Sequence, residues 1–181
     1  MALLALAPGC ADETLITNFC PADIVINEIA AASGHDWIEL FNADDEEVQL
    51  DGFYLWSTDE HNDGFTLPPT RPEPGGPDVP NTLDVGGFLL LIADTYEDED
   101  EPELVLGFDL NRDGGHLELN APPHFGSAAC DVVIFPDQHD NFTWARTEDG
   151  GDEWCDAAAP TKGTPNKAGC LCSPGGTSPW C

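Results

Sequence analysis

The chain has 181 residues, with 5 basic against 35 acidic side chains and a formal net charge of −30. That length supports one domain with a real hydrophobic core and short flanks. Hydrophobic residues at 41% exclude a wholly disordered acidic chain, and the charge excludes nucleic acid and anionic membrane surfaces, which would meet a repelling field.

Residues 1–21 read as a leader remnant and tether. Residues 1–7 are apolar, and Pro8-Gly9 leads into Cys10, as at the end of a bacterial lipoprotein signal. The pattern predicts cleavage before Cys10 and lipidation of its thiol. An anchor of that kind is the only membrane contact expected, since no apolar run nears the ~20 residues needed to span a bilayer. The alternative is an ordinary N-terminus whose Cys10 pairs with a neighbour such as Cys20.

Strand signals fill the middle of the chain. Residues 24–29, 37–41 and 53–56 are short, β-branched or aromatic, and bounded by Gly, Asn and Asp. Residues 68–81 contain six prolines and no strand signal, so they predict an exposed loop. Residues 88–92 are continuously apolar, the pattern of a central strand covered on both faces. Residues 97–103 form a second, acidic loop. Leu104, Leu106, Phe108 and Leu110 alternate strictly, and Leu117 and Leu119 repeat the pattern after Gly114-Gly115, which predicts a hairpin. Residues 132–135 and 142–146 predict a further pair. No sustained helical period occurs. The expected fold is all-β, a sandwich with Pro-rich and acidic loops.

Seven cysteines, at 10, 20, 130, 155, 170, 172 and 181, point to an oxidising compartment. Lipidation of Cys10 would leave an even number for bridges. Cys130 opens one predicted strand and Cys155 follows the next hairpin, so a Cys130–Cys155 bridge is expected. Cys20, Cys170, Cys172 and Cys181 would then staple a Cys-rich tail, residues 169–181, to the start of the domain.

Several segments together resemble a known family. Val25-Ile26-Asn27-Glu28-Ile29, Asp36-Trp37-Ile38-Glu39-Leu40-Phe41-Asn42 and Val48-Gln49-Leu50-Asp51-Gly52-Phe53-Tyr54-Leu55 are similar to the opening strands of the lamin tail domain. Gly107 to Asn111, Gly114 to Leu119 and Asp131-Val132-Val133 resemble its late strands. Ala159-Pro160-Thr161-Lys162-Gly163-Thr164-Pro165-Asn166 resembles its closing segment. The resemblance spans residues 22–168. It implies an immunoglobulin-like β-sandwich that binds or tethers, with no catalytic residues to carry over. Fold alone does not assign a function.

Three constellations invite chemistry. Asp109, Asn111 and Asp113, followed by Gly114, match the first half of a calcium loop, although His116 and Asn120 do not continue it. The same residues also serve as turn formers in a hairpin. Glu28 and Glu39 lie within apolar strands, which suggests either a metal-assisted hydrolase with paired carboxylates or side chains that accept bonds from a neighbouring loop. Trp154 and Trp180 stand beside cysteines, suited either to sugar stacking or to covering a disulfide. The function expected is non-enzymatic: an exported module of a bacterial envelope presenting acidic surface to a protein, a polysaccharide or calcium. A purely structural spacer is the remaining alternative.

Overall fold

The structure, a computed structural model, describes residues 19–32, 35–57, 64–73, 75–93, 104–157 and 159–166. Cys10, the acidic run 97–103 and the cysteines at 170, 172 and 181 lie outside the described residues.

In chain order the strands are β1 (Ile24–Ala30), β2 (Asp36–Asn42), β3 (Val48–Gln49), β4 (Tyr54–Ser57), β5 (Gly64–Thr66), β6 (Thr70–Arg71) and β7 (Val79–Pro80). They continue as β8 (Thr82–Leu83), β9 (Phe88–Ala93), β10 (Leu104–Val105), β11 (Gly115–Asn120), β12 (Ala129–Phe135), β13 (Thr143–Arg146) and β14 (Trp154–Ala157). A six-stranded sheet, β10-β9-β2-β1-β13-β14, faces a four-stranded sheet, β12-β11-β4-β5. Two short ribbons, β3-β8 and β6-β7, complete the topology. Among the described residues the only helical element is a 3₁₀ turn, Pro123–Phe125. The fold is an all-β, disulfide-stapled sandwich.

The core lies between the two sheets. Ile24, Ile26, Ile29, Ile38, Leu40 and Leu91 from one layer meet Leu55, Leu117, Leu119, Val133 and Phe135 from the other. Each such side chain contributes about 1.5–3 kcal/mol when fully buried. β9 is covered on both faces: Leu89 and Leu91 enter this core, while Ile92 and Leu90 pack outside with Trp37, Ala30 and Val105.

A bulge in β1 decides which of its side chains leave the core. Its pairing with β2 slips between Ile26 and Glu28, so Ile26 opposes Leu40 and Glu28 opposes Glu39. Strict alternation would turn Ile26 and Glu28 to one face. The extra residue, Asn27, instead lets Ile26 and Ile29 both reach the core and turns Asn27 and Glu28 outward. The backbone groups of Ile26 take side-chain partners from both sheets. The Ile26 N–H donates to Asp131 Oδ2 at 2.8 Å, and Ile26 O accepts from Arg146 Nε at 2.8 Å. Asp131 and Arg146 in turn pair at 2.8 Å, tying β12 to β13.

Four local expectations are corrected. Leu104, Leu106, Phe108 and Leu110 are all buried, yet only Leu104–Val105 forms a strand, parallel to β9. The rest is a buried crossing segment, and β11 pairs with β12 and β4 rather than with it. The residue 132–135 and 142–146 segments do not pair either, because β12 and β13 belong to opposite sheets. The Pro-rich segment carries β6 and β7, paired through Thr70 with Pro80 and Arg71 with Val79; an edge ribbon tolerates proline where no ladder N–H is needed. The predicted Cys130–Cys155 bridge is not formed. Cys130 bonds Cys20, with Cα atoms 5.0 Å apart and 110 residues between them, and Cys155 is disulfide-bonded elsewhere. Cys130 and Cys155 sit on strands of different sheets, and residue 20 enters beside the start of β12. A loop of that length implies stabilisation of about 5 kcal/mol through the unfolded chain.

Candidate functional site

Two acidic regions stand out, one buried and one open. The buried one lies on the outer face of the six-stranded sheet, where the bulge places Asn27 and Glu28 beside Glu39. Both glutamates are fully buried. Like charges directly opposite on a sheet repel, so the arrangement depends on donors, and the closing segment supplies them. Glu28 Oε2 accepts from Thr161 Oγ1 at 2.6 Å and from the Thr161 N–H at 3.1 Å. Its Oε1 accepts from Thr143 Oγ1 at 2.5 Å. Glu39 Oε2 accepts from the Gly163 N–H at 2.6 Å, and its Oε1 from Asn27 Nδ2 at 3.1 Å.

Thr161 to Thr164 form a turn, closed by the Thr164 N–H on Thr161 O at 2.9 Å, with Gly163 at φ +64°. That left-handed conformation, costly for a side chain, aims the Gly163 N–H at the carboxylate. Asp149 completes the latch by accepting from Asn27 Nδ2 at 3.0 Å and the Asn166 N–H at 2.9 Å. Asn166 Nδ2 reaches Arg146 O at 2.8 Å. Lys162 lies 5.1 Å from the centre of the Trp37 ring, a cation–π contact. Burial first, and then the charges of Glu28 and Asp149, push the Glu39 carboxyl up to about 7 despite its two donors.

Chemically this is a clamp. The glutamates that resembled an acid–base pair accept bonds from a neighbouring segment, and each of their oxygens is engaged by protein.

The open region is a groove of about 670 Å³. Apolar residues, among them Val48, Pro122 and Phe125, line it together with His124 and with the carboxylates of Asp44, Asp45, Glu46, Glu47 and Asp51. Phe19 packs edge-on against Phe125, with ring centres 5.6 Å apart, so the Cys20–Cys130 bond anchors one wall. Asn42, fully engaged beneath, shapes the acidic loop: its Nδ2 donates to Glu46 O and its Oδ1 accepts the Asp44 N–H, both at 2.9 Å. Backbone N–H groups of Asp23 and Asp45 hold the Asp44 carboxyl below the usual carboxylate range. It therefore stays ionised.

No protein-family model and no curated protein matches the chain.

The segment read as a calcium half-loop contains an Asx turn. Asp109, Asn111 and Asp113 are exposed, and Asn111 Oδ1 accepts the Asp113 N–H at 3.0 Å, closing an Asx turn. Among the described residues no three His, Cys, Asp or Glu side chains converge as a metal site. Trp154 stacks on Trp144 at 6.1 Å, with Arg146 4.7 Å over its ring. The groove has no signature in the sequence. The acidic run 44–47 signals only a solvated loop, and its juxtaposition with residues 122–125 is a product of the sandwich.

Proposed function

We propose that this protein is an exported, non-enzymatic binding or tethering module of lamin-tail, immunoglobulin-like type in a bacterial cell envelope, anchored through a lipid on Cys10. Its binding surface is the acidic groove, and the partner is a cationic protein segment. The single observation that carries this reading is the groove itself, lined by apolar residues and carboxylates in a chain of net charge −30. A Lys- or Arg-bearing segment with one apolar side chain would set that side chain against Phe125 and its charges against the carboxylates. The disulfide supports export, and among the described residues no helix is long and apolar enough to cross a membrane. The fully engaged Glu28 and Glu39 favour binding over the hydrolase alternative.

Calorimetry with a short Lys/Leu peptide and its Glu/Leu counterpart tests the groove. The triple variant Asp45→Asn, Glu46→Gln, Glu47→Gln should bind the Lys/Leu peptide about tenfold more weakly. A control triple that removes the same charge elsewhere, Asp78→Asn, Asp109→Asn, Asp113→Asn, should stay within about twofold. Equal losses would reduce the interaction to bulk charge and end the groove reading.

A further inference from the structure

The outer face of the four-stranded sheet carries an arrangement that neither the core nor the groove explains. Side chains on a strand alternate, so Leu55 points into the core while Tyr54 and Trp56 share the outer face. Tyr54 is 37% exposed, and Trp56 is half-buried beside it. Tyr54 pairs with Thr66 and Trp56 with Gly64 across β4 and β5. The Tyr54 ring does not stand up from the sheet. A Cβ built on Gly64 would fall 1.8 Å from the Tyr54 hydroxyl oxygen and 2.3 Å from its Cζ. The phenol therefore leans diagonally over Gly64 to the level of Trp56, occupying the space of the missing side chain.

Glycine is otherwise a poor strand residue. Here its missing side chain makes room for the phenol, which lies down along the sheet and stays partly exposed. The neighbouring column supplies hydrogen-bonding groups: on β11, Asn120 lies opposite Tyr54 and Glu118 opposite Trp56. Glu118 Oε1 is 3.4 Å from His116 Nε2. Neither β4, β5, β11 nor β12 carries a lysine or arginine.

We propose that this face, at Tyr54, Trp56, Glu118 and Asn120, is a stacking platform for an uncharged or amino-bearing polysaccharide. The C–H face of a pyranose ring packs on the flat phenol and the adjacent indole, while Asn120 and Glu118 bond its hydroxyl or amino groups. The net charge and the absence of lysine and arginine from these strands disfavour uronate and sulfate chains. This surface is independent of the groove, and the two together would let one module join a glycan to a basic protein.

The test is retention of the full chain on insoluble cellulose, chitin and mannan, with soluble polygalacturonate as the acidic comparison. The platform predicts binding to at least one neutral or amino polysaccharide and none to polygalacturonate. Tyr54→Ala should weaken it about tenfold. Gly64→Val keeps every aromatic residue but displaces the Tyr54 ring, and should weaken it similarly; the urea midpoint of each variant shows that the sandwich is intact. The groove triple variant should bind the polysaccharide as the parent does. Failure to bind any neutral or amino polysaccharide overturns the proposal, as does undiminished binding by Gly64→Val in a folded protein.

Discussion

On β1 and β2, Glu28 and Glu39 are fully buried, and every oxygen receives a donor from Thr143, Thr161, Asn27 or Gly163. Along the groove, Asp45, Glu46 and Glu47 stand exposed. The difference lies in what each carboxylate replaced water with. The buried pair exchanged it for fixed protein donors and became structural, since losing a partner inside leaves an unpaired polar group. The rim kept its water and can exchange it for a ligand's charge. Acidic composition alone therefore does not locate a binding surface; the state of each oxygen does.

The contrast can be broken most visibly at Glu28. Glu28→Ala leaves the Thr143 hydroxyl and the Thr161 N–H without their acceptor and the Thr161 hydroxyl with Asn166 Oδ1 alone, and should cost about 2–4 kcal/mol. The loss should be local as well as global, because Thr161 is the first anchor of the closing segment. Trypsin cleavage after Lys162 should accelerate in the variant before the rest of the domain unfolds. Unchanged cleavage and an unchanged urea midpoint would mean that the latch holds nothing.

Glu39 gives the next largest effect and a sign. Its carboxyl is raised from 4.5 to about 7 in the folded protein, so between those values the native state binds more protons than the unfolded chain. Stability from this group is fully present below pH 4.5 and is lost as pH rises towards 7. The folded protein should lose about 1–3 kcal/mol of this contribution between pH 5 and pH 8. Glu39→Gln cannot ionise and should flatten that part of the profile, even though its amide meets the Gly163 or Asn27 N–H and lowers stability throughout. Urea midpoints at both pH values, in both proteins, isolate the difference. Parallel profiles would show that Glu39 titrates normally.

Much of the sandwich was legible because period-2 burial is written into single residues, as in Leu117 and Leu119 or Ile38 and Leu40. Partner choice was not. Leu104 to Leu110 alternates as a strand should, yet only its start pairs, with β9, and the remainder crosses the core; a burial pattern cannot distinguish the two. The bulge was readable in principle, since Ile26 and Ile29 are both core-type residues three apart, an offset that straight alternation cannot bury on one face. The Cys20–Cys130 bond was not, because proximity in three dimensions comes from the sheet order. The same holds for the groove and for Tyr54 over Gly64. Each depends on segments far apart in sequence or on the rotamer of one ring.

The rim supplies the smallest expected change in stability and the sharpest contrast with the latch. Asp45, Glu46 and Glu47 are exposed and surrounded by other acids, so their mutual repulsion is screened but unfavourable. Replacing them by Asn and Gln removes like charge without unpairing a buried group. The urea midpoint of the triple variant should therefore match or slightly exceed that of the parent, within about 0.5 kcal/mol. Added salt should narrow the gap further, whereas it should leave the loss in Glu28→Ala nearly unchanged, because that loss comes from buried donors beyond the reach of counterions. A rim variant as damaged as Glu28→Ala would mean that these carboxylates also hold the fold. The distinction between occupied and available oxygens would then fail at the place where it matters for binding.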